Sequence, residues 1–383
     1  MDITGIICEY NPLHLGHKKQ IDTIKSKYPD TGIVCLMSGN YVQRGYPAVI
    51  DKSLRAKAAV VSGADLVLEL PITASLSSAE GFAAEGVRIL GGFCDRLCFG
   101  AESADKEALL STARALLTPT FLESLRTQLD KGVSFPAARQ AALQAMGIQH
   151  DTLSLPNDIL ATEYCKAILQ QGVSMEPMPI VREGNYHDTA IDEENPSATA
   201  LRLSMAAGSD WMRYVPEPAK TVFEGADIHT LSAGEQAILY RLRTMTDEEF
   251  EALPYGSEGL WRKLMHNARK FATLEEIITA TKSKRYTRTR LDRMVMCAFL
   301  GITQADIDSP APYTRVLALN DRGREALKFA RQTGEFPNAG ESVDSPYQAL
   351  EHRAGMVYGL FSTKDSQPYR EEERRNYYHK ETV

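Results

Sequence analysis

An α/β fold with a Rossmann-like, mostly parallel sheet, followed by a C-terminal mainly helical part, is what this sequence predicts. Three observations carry that expectation. Short apolar runs ending in turn residues recur as far as about Val215, segments of helical spacing separate them, and beyond Val215 the strand signals fade while helical spacing continues.

Ile3 to Cys8 is an apolar run stopped by Glu9, Tyr10, Asn11 and Pro12, which reads as a buried strand ending in a turn. A helix is expected from about Leu15. Ile33 to Met37 is a second buried strand, Ser53 to Val61 has helical spacing, and Leu66 to Leu70 is a third strand before Pro71. Ala79 to Leu90 reads as helix and Arg96 to Phe99 as a fourth strand. Met178 to Val181 is a fifth, after a largely helical stretch from Lys106 to Gln171. Strands alternating with helices give a parallel sheet covered on both faces. Past Val215, the segments Gly234 to Met245, Gly259 to Phe271 and Leu274 to Thr281 carry helical periodicity. Two domains are therefore expected, residues 1–215 with a helical insertion around 104–172, and residues 216–383 with a charged tail from Lys364.

Composition narrows the class. Of 383 residues, 43% are hydrophobic and 24% charged, the balance of a globular chain rather than a disordered or membrane one. No stretch approaches the roughly 20 apolar residues of a membrane span, and Met1 to Glu9 lacks the basic and long apolar regions of a signal peptide, so a cytoplasmic protein is expected. Cys8, Cys35, Cys94, Cys98, Cys165 and Cys297 are scattered among apolar neighbours without metal-ligand spacing, which argues for reduced thiols and against structural zinc. A net charge of −7 argues against coating nucleic acid through the overall field and leaves room for a local basic face.

Ligands of parallel sheets bind beyond the carboxyl ends of the strands. The loops there are unusually polar: Asn11 to His17, Ser38 to Gly45, Glu69 to Ser78 and Gly100 to Ser103. In the first, Glu9-Tyr10-Asn11-Pro12-Leu13-His14-Leu15-Gly16-His17 joins a strand to a helix and sets His14 and His17 at the helix's positive end, where backbone donors and imidazoles suit phosphate. Three residues apart, the two histidines can both reach one polyphosphate. Gly16 removes a side chain where a base or ribose would clash. Taken alone, the pair also fits a helix cap and a surface residue.

With this context the segment resembles the HIGH superfamily of nucleotidylyl transferases and class I tRNA synthetases, whose first motif matches His14, Leu15, Gly16 and His17. The superfamily's second motif matches Ser197-Ala198-Thr199-Ala200-Leu201-Arg202, although such a hexapeptide alone is also an ordinary capped helix start. The resemblance implies that this loop closes over the phosphates of ATP, with Ser197 and Thr199 among the contacts. Nucleotidyl transfer moves charge onto the α-phosphate and the departing pyrophosphate, so the expected catalytic residues are the stabilisers of that charge, His14, His17 and Arg202.

A closer resemblance, covering nearly the whole chain, is to the bacterial tRNA(Met) cytidine acetate ligases. It rests on Glu9 to His17, Met37 to Gly45 with Pro47 and Ala48, Gly63 to Pro71, Phe99 to Ser103, Pro156 to Leu160, Tyr186-His187-Asp188, and Ser197 to Arg202. That family is held to activate acetate with ATP, giving acetyl-adenylate and pyrophosphate, and then to acetylate the wobble cytidine of elongator tRNA(Met). The resemblance implies ATP contacts from the Ile7 to Gln20 stretch, comprising Ile7, Cys8, Glu9, Tyr10, Asn11, Pro12, Gly16, Lys18 and Gln20, and from Gly100, Asn157 and Arg182. Each of the last three has a local rationale, respectively a strand end open to a base edge, a helix start after Pro156, and a strand end facing the same cleft. Ala101 departs from the Ser expected in many relatives. Asn40, Gln43 and Arg44 are expected to line the acetate or cytidine pocket, while Lys52 and Arg55 open the next helix as surface residues or phosphate contacts.

Lys282, Lys284, Arg285, Tyr286, Arg288, Arg290 and Arg293 form the most basic window of an acidic chain. It reads as a phosphate track with Tyr286 stacking on an unpaired base, or as a solvated helix start. Expected partners are thus tRNA and acetate, with ATP as substrate and Mg2+ accompanying it and no dedicated metal cage. Competing readings are an adenylyltransferase acting on a small phosphorylated metabolite and a non-catalytic RNA-binding protein of the same fold.

Overall fold

The computed structural model describes residues 1–148, 152–182, 197–283, 285–333, 345–364 and 378–380. Strand β1 (Ile3–Cys8) leads through the histidine loop into α1 (Leu15–Lys27) and β2 (Gly32–Ser38). A hairpin of β3 (Tyr41–Val42) and β4 (Tyr46–Pro47) precedes α2 (Lys52–Val61), β5 (Leu66–Leu70), α3 (Ile72–Ser75) and α4 (Ala79–Leu90). Strand β6 (Arg96–Ala101) and β7 (Glu176–Val181) flank the predicted helical stretch. That stretch is four helices, α5 (Lys106–Leu116), α6 (Pro119–Leu129), α7 (Phe135–Ala145) and α8 (Pro156–Gln171). Then come α9 (Ala198–Ala206), α10 (Glu217–Phe223), α11 (Glu235–Thr244), α12 (Asp247–Glu251), α13 (Leu260–Lys270), α14 (Leu274–Thr281), α15 (Arg288–Leu300) and α16 (Gln304–Asp308). The described chain closes with β8 (Val316–Asn320), α17 (Asp321–Gln332), α18 (Pro346–Tyr358) and β9 (Tyr378–Lys380).

Among the described residues the main sheet has seven strands in the order β7-β6-β1-β2-β5-β8-β9, and the five strands predicted from sequence are mutually parallel. Their apolar runs are continuous because both faces are covered. Alternation still sorts them: Ile3 and Ile7 of β1 join the core beneath α4, α5, α8 and α17, whereas Ile6 joins Ile21, Ile24 and Ala59 on the opposite face. Chain direction through the sheet reverses between β1 and β6, which opens a crevice beyond their carboxyl ends.

Among the described residues four strands were not foreseen, the β3–β4 hairpin and two strands of the main sheet. Val316–Asn320 pairs antiparallel with β5, and Tyr378–Lys380 pairs with it in turn, so residues from the mainly helical part complete the sheet edge. A separate apolar core gathers α11, α13, α14, α15 and α18, with Leu239, Leu264, Ile278, Met294 and Tyr358, and takes in Tyr41 and Leu76 from the first part of the chain.

Lys52 and Arg55 fit neither expectation held for them. Lys52 is buried and donates to both oxygens of Glu69, at 2.7 and 2.9 Å. Arg55 is 0% exposed and donates to the carbonyls of Glu9, Ser38, Gly39 and Ile50. It ties the carboxyl ends of β1 and β2 together, since a buried guanidinium needs every donor met.

Candidate active site

The loops beyond β1, β6 and β7 and the start of α9 enclose a cavity of about 900 Å³. Most of the residues predicted to bind nucleotide meet there. Ile7, Cys8, Glu9, Tyr10, Asn11, His14, Gly16, His17 and Gln20 come from the first loop and helix, Gly100 from β6, Asn157 from α8 and Arg182 from the end of β7. Ser197, Thr199 and Arg202 come from α9, and Gln43 and Arg44 from the β3–β4 turn. Pro12, Lys18 and Asn40 stand outside these walls. Pro12 follows a cis peptide bond in the turn, and Lys18 pairs with Asp22 one helical turn on. Asn40 is a loop brace whose side-chain oxygen accepts from the Lys52 N–H at 2.8 Å. Tyr186, His187, Asp188 and Lys284 lie outside the described residues.

His14 is both a cap and a cavity residue, so the two readings open in the sequence are one structure. Its Nδ1 accepts from the Gly16 N–H at 3.1 Å, and its own N–H donates to His17 Nδ1 at 3.3 Å. This is a capping box built from imidazoles. Because both Nδ1 atoms accept, each ring must carry its proton on Nε2. The rings lie 3.7 Å apart, and His14 Nε2 is buried without a partner among the described residues. Burial above all, then His17, Arg182 and Arg202, hold His14 well below its usual pKa. Burial and then Arg182 push His17 down to about 3. Both are neutral donors near neutral pH.

Cations surround them. Arg202 donates to the Asn11 carbonyl at 2.9 Å and to Thr199 Oγ1 at 3.0 Å. Arg182 donates to Asn157 Oδ1 at 2.7 Å, and Asn157 Nδ2 in turn donates to Glu102 at 2.6 Å. Glu102 also accepts the Asn157 and Asp158 N–H groups, so it occupies the amino end of α8 and leaves Asn157 as a fixed strut. Burial disfavours the charge on Arg182 and Arg202, and Arg44 disfavours both further, against the opposing help of Glu102 and Glu9 respectively. Cations that repel one another beside two neutral N–H donors, at the amino ends of α1 and α9, form a receptor for a polyanion.

Sequence reading missed part of the wall. Tyr46, Val49, His229, Thr230 and Leu231 line the cavity, the last three from an irregular stretch before α11. A single histidine in polar surroundings carries no sequence signal of this.

None of the described residues of the basic window lines the cavity; the window sits at the junction of α14 and α15. Lys282 and Arg285 are exposed, although Arg285 pairs with Glu258 at 2.5 Å. Arg288 pairs with Glu275 at 2.6 Å, Arg290 donates to the Tyr255 carbonyl at 2.6 and 2.9 Å, and Tyr286 donates to Glu258 at 3.1 Å. Arg293 is turned inward and donates to the Gln43 carbonyl at 3.4 Å. Among the described residues no helix is long and apolar enough to cross a membrane.

Known proteins resemble this chain over most of its length. The sequence model of the HIGH Nucleotidyl Transferase family matches residues 1–373. The tRNA(Met) cytidine acetate ligase of Clostridium acetobutylicum is 35% identical over 94% of this chain and 96% of its own length, and that of Clostridium novyi is 37% identical over 88% and 89%. Among solved structures, Thermotoga maritima TmcAL in its apo form superposes with a TM-score of 0.91 at 28% identity, covering both chains fully. The same protein bound with alpha-thio ATP gives a TM-score of 0.89 with the same coverage. Sheet order, histidine loop and whole-length similarity lead to one assignment: the chain belongs to the HIGH nucleotidyl transferase family.

Proposed function

We infer that this chain activates acetate with ATP, releasing pyrophosphate, and passes the acetyl group to N4 of the wobble cytidine of elongator tRNA(Met), leaving AMP. The observation that carries this reading is the cavity itself, in which two tautomer-fixed histidines and three arginines face one space. Whole-length relatives named tRNA(Met) cytidine acetate ligase support the choice of acceptor.

In the first step an acetate oxygen attacks the α-phosphorus and the bond to the β-phosphate oxygen breaks. His14 and His17 offer Nε2–H donors to the phosphate oxygens, and Arg202 and Arg182 balance the charge that gathers on pyrophosphate. Neutral imidazoles suit this role because they donate without having to lose a proton. Arg44, on the β3–β4 turn, is the residue through which acetate is held, with Gln43 beside it. Magnesium enters as the companion of the triphosphate; among the described residues no group of three or more His, Cys, Asp or Glu is placed to hold a metal, and no step is routed through one.

In the second step the cytidine amine attacks the acetyl carbon and AMP leaves. The tRNA backbone is met by residues past 215, with Lys282 and Arg285 the exposed cations of the basic window, while residues 1–215 hold the nucleotide. Six free cysteines and a tRNA substrate suit the cytoplasm. The test is mass spectrometry of the wobble nucleoside after incubation with ATP, labelled acetate and tRNA. Acetylcytidine with matched release of AMP and pyrophosphate is expected. AMP attached to a small metabolite, or RNA binding without turnover, would overturn the reading.

A further inference from the structure

The segment of the cavity wall ahead of α11 carries a third histidine. This residue, His229, is 6% exposed, with its ring stacked on Tyr358 at 4.0 Å and 14°. Its main chain is wired to the histidine loop: the His229 N–H donates to the Val49 carbonyl at 2.9 Å, and the Val49 N–H donates to Asn11 Oδ1 at 2.8 Å. Tyr358, beneath the ring, donates its hydroxyl to the Ala48 carbonyl at 2.7 Å. The ring's position relative to Asn11, whose carbonyl anchors Arg202, is therefore set by short, buried links rather than by a free loop.

Nothing in the packing uses the ring's polar edge fully. Nδ1 is buried and has no hydrogen-bond partner among the described residues, and Nε2 faces the Asp227 carboxylate at 3.8 Å, beyond hydrogen-bond reach. Buried polar atoms without partners are uncommon and call for a reason. The groups facing the ring are Asp227 on its own segment, Asp51 ahead of α2, the Tyr358 ring on α18, and the carbonyls of Asp227 and Val49. Among the described residues the charged groups that weigh most on the ring, Asp227 and Asp51, are acidic.

We propose that His229 is the base that receives the proton from the cytidine amine during acetyl transfer. This rests on the function inferred above. The N4 lone pair attacks the acetyl carbon, the bond from that carbon to the adenylate oxygen breaks, AMP departs as the anion, and the N4 proton passes to the neutral imidazole. Burial keeps the resting ring neutral, lowering its pKa, while Asp227 and Asp51 favour the imidazolium it becomes. Two histidines of the first loop that donate, and a third from the segment before α11 that accepts, divide the two half-reactions between separate side chains.

The half-reactions can be read separately. Acetate-dependent exchange of pyrophosphate into ATP reports the first, and labelled acetyl appearing in tRNA reports the whole. His229→Ala should keep exchange within about threefold of the unmutated protein while acetyl transfer falls about 10²-fold or more. Added imidazole should restore part of the transfer, and the inflection below pH 6.5 in the transfer rate should vanish. Transfer left unimpaired in His229→Ala, or exchange and transfer falling together in both His229→Ala and His229→Gln, would overturn the role of His229. Absence of acetate-dependent exchange in the unmutated protein would instead overturn the underlying function.

Discussion

Arg182 donates to Asn157 Oδ1 at 2.7 Å, so a neutral amide on one helix aims a half-buried cation just past a strand end. Both side-chain heteroatoms of Asn157 have partners, since its Nδ2 donates to Glu102. Loss of the amide is therefore expected to act on nucleotide binding at least in part by releasing Arg182. Asn157→Ala should raise the Michaelis constant for ATP about tenfold with a smaller change in kcat, the loss of roughly one charge-assisted hydrogen bond. Steady-state pyrophosphate exchange at varied ATP checks this, and a pure kcat effect would contradict it.

Removing either imidazole of the capping box removes a donor and unsettles its neighbour. His14→Ala and His17→Ala should each lower exchange about 10²-fold or more. The double variant should cost much less than the product of the two, because the residues act as a unit. Additive losses would argue that the rings work independently.

The same pair makes stability depend on pH. His17, pushed down to about 3 when folded against 6.5 for a free imidazole, binds a proton in the unfolded chain first. Stability present above pH 6.5 is therefore lost as pH falls toward 3, at about 1.4 kcal/mol per unit for one such group. Urea midpoints of the ligand-free protein should fall between pH 7 and about 5. They should fall less in His17→Gln, and an equal drop in both would refute the assignment.

Gly45 holds the β3–β4 turn at φ 81°, where an added Cβ would stand 2.4 Å from the Arg293 backbone nitrogen. Tyr46 beside it donates to Asp292 at 2.7 Å. The turn carrying Gln43 and Arg44 is thus pressed onto α15. Gly45→Ala should destabilise the fold by more than about 1 kcal/mol and raise the Michaelis constant for acetate, as Arg44→Ala should without the loss of stability. Thermal unfolding beside acetate titrations separates the two.

Within the basic window, exposure divides the cations. Lys282→Glu and Arg285→Glu should weaken tRNA binding, each reducing the slope of log affinity against log salt by about 1. Arg290→Ala should chiefly cost stability, about 1–3 kcal/mol, because the Tyr255 carbonyl loses its donor. Filter binding over a salt series would show it, and an unchanged slope for Lys282→Glu and Arg285→Glu would move the RNA face elsewhere.

The parallel strands were legible because each is an apolar run long enough to be buried on both faces and ends in a polar turn. Strand β8 was not. Its burial does not alternate, its Val316 pairs with Leu68 248 positions earlier in the chain, and nothing local marks a partner so distant. The histidine loop and α9 were legible as chemistry because several scarce residue types sit at fixed spacing. Asn40 and Lys18 have the right composition and neighbourhood, yet their side chains are spent on Lys52 and Asp22. His229 reaches the cavity only through the packing of α18 and the segment at Val49, a relationship no spacing in the chain encodes.

The late arrival of β8 bears on how the chain is made. Until residues near Leu319 leave the ribosome, the outer edge of β5 has no strand beside it, and its row of open amides and carbonyls invites pairing with another nascent chain. Synthesis therefore passes through a long interval in which the nucleotide-binding half exists without its seal, and a fragment truncated at 215 should tend to self-associate. Antiparallel pairing by the returning segment works as a latch that closes the adhesive margin of β5.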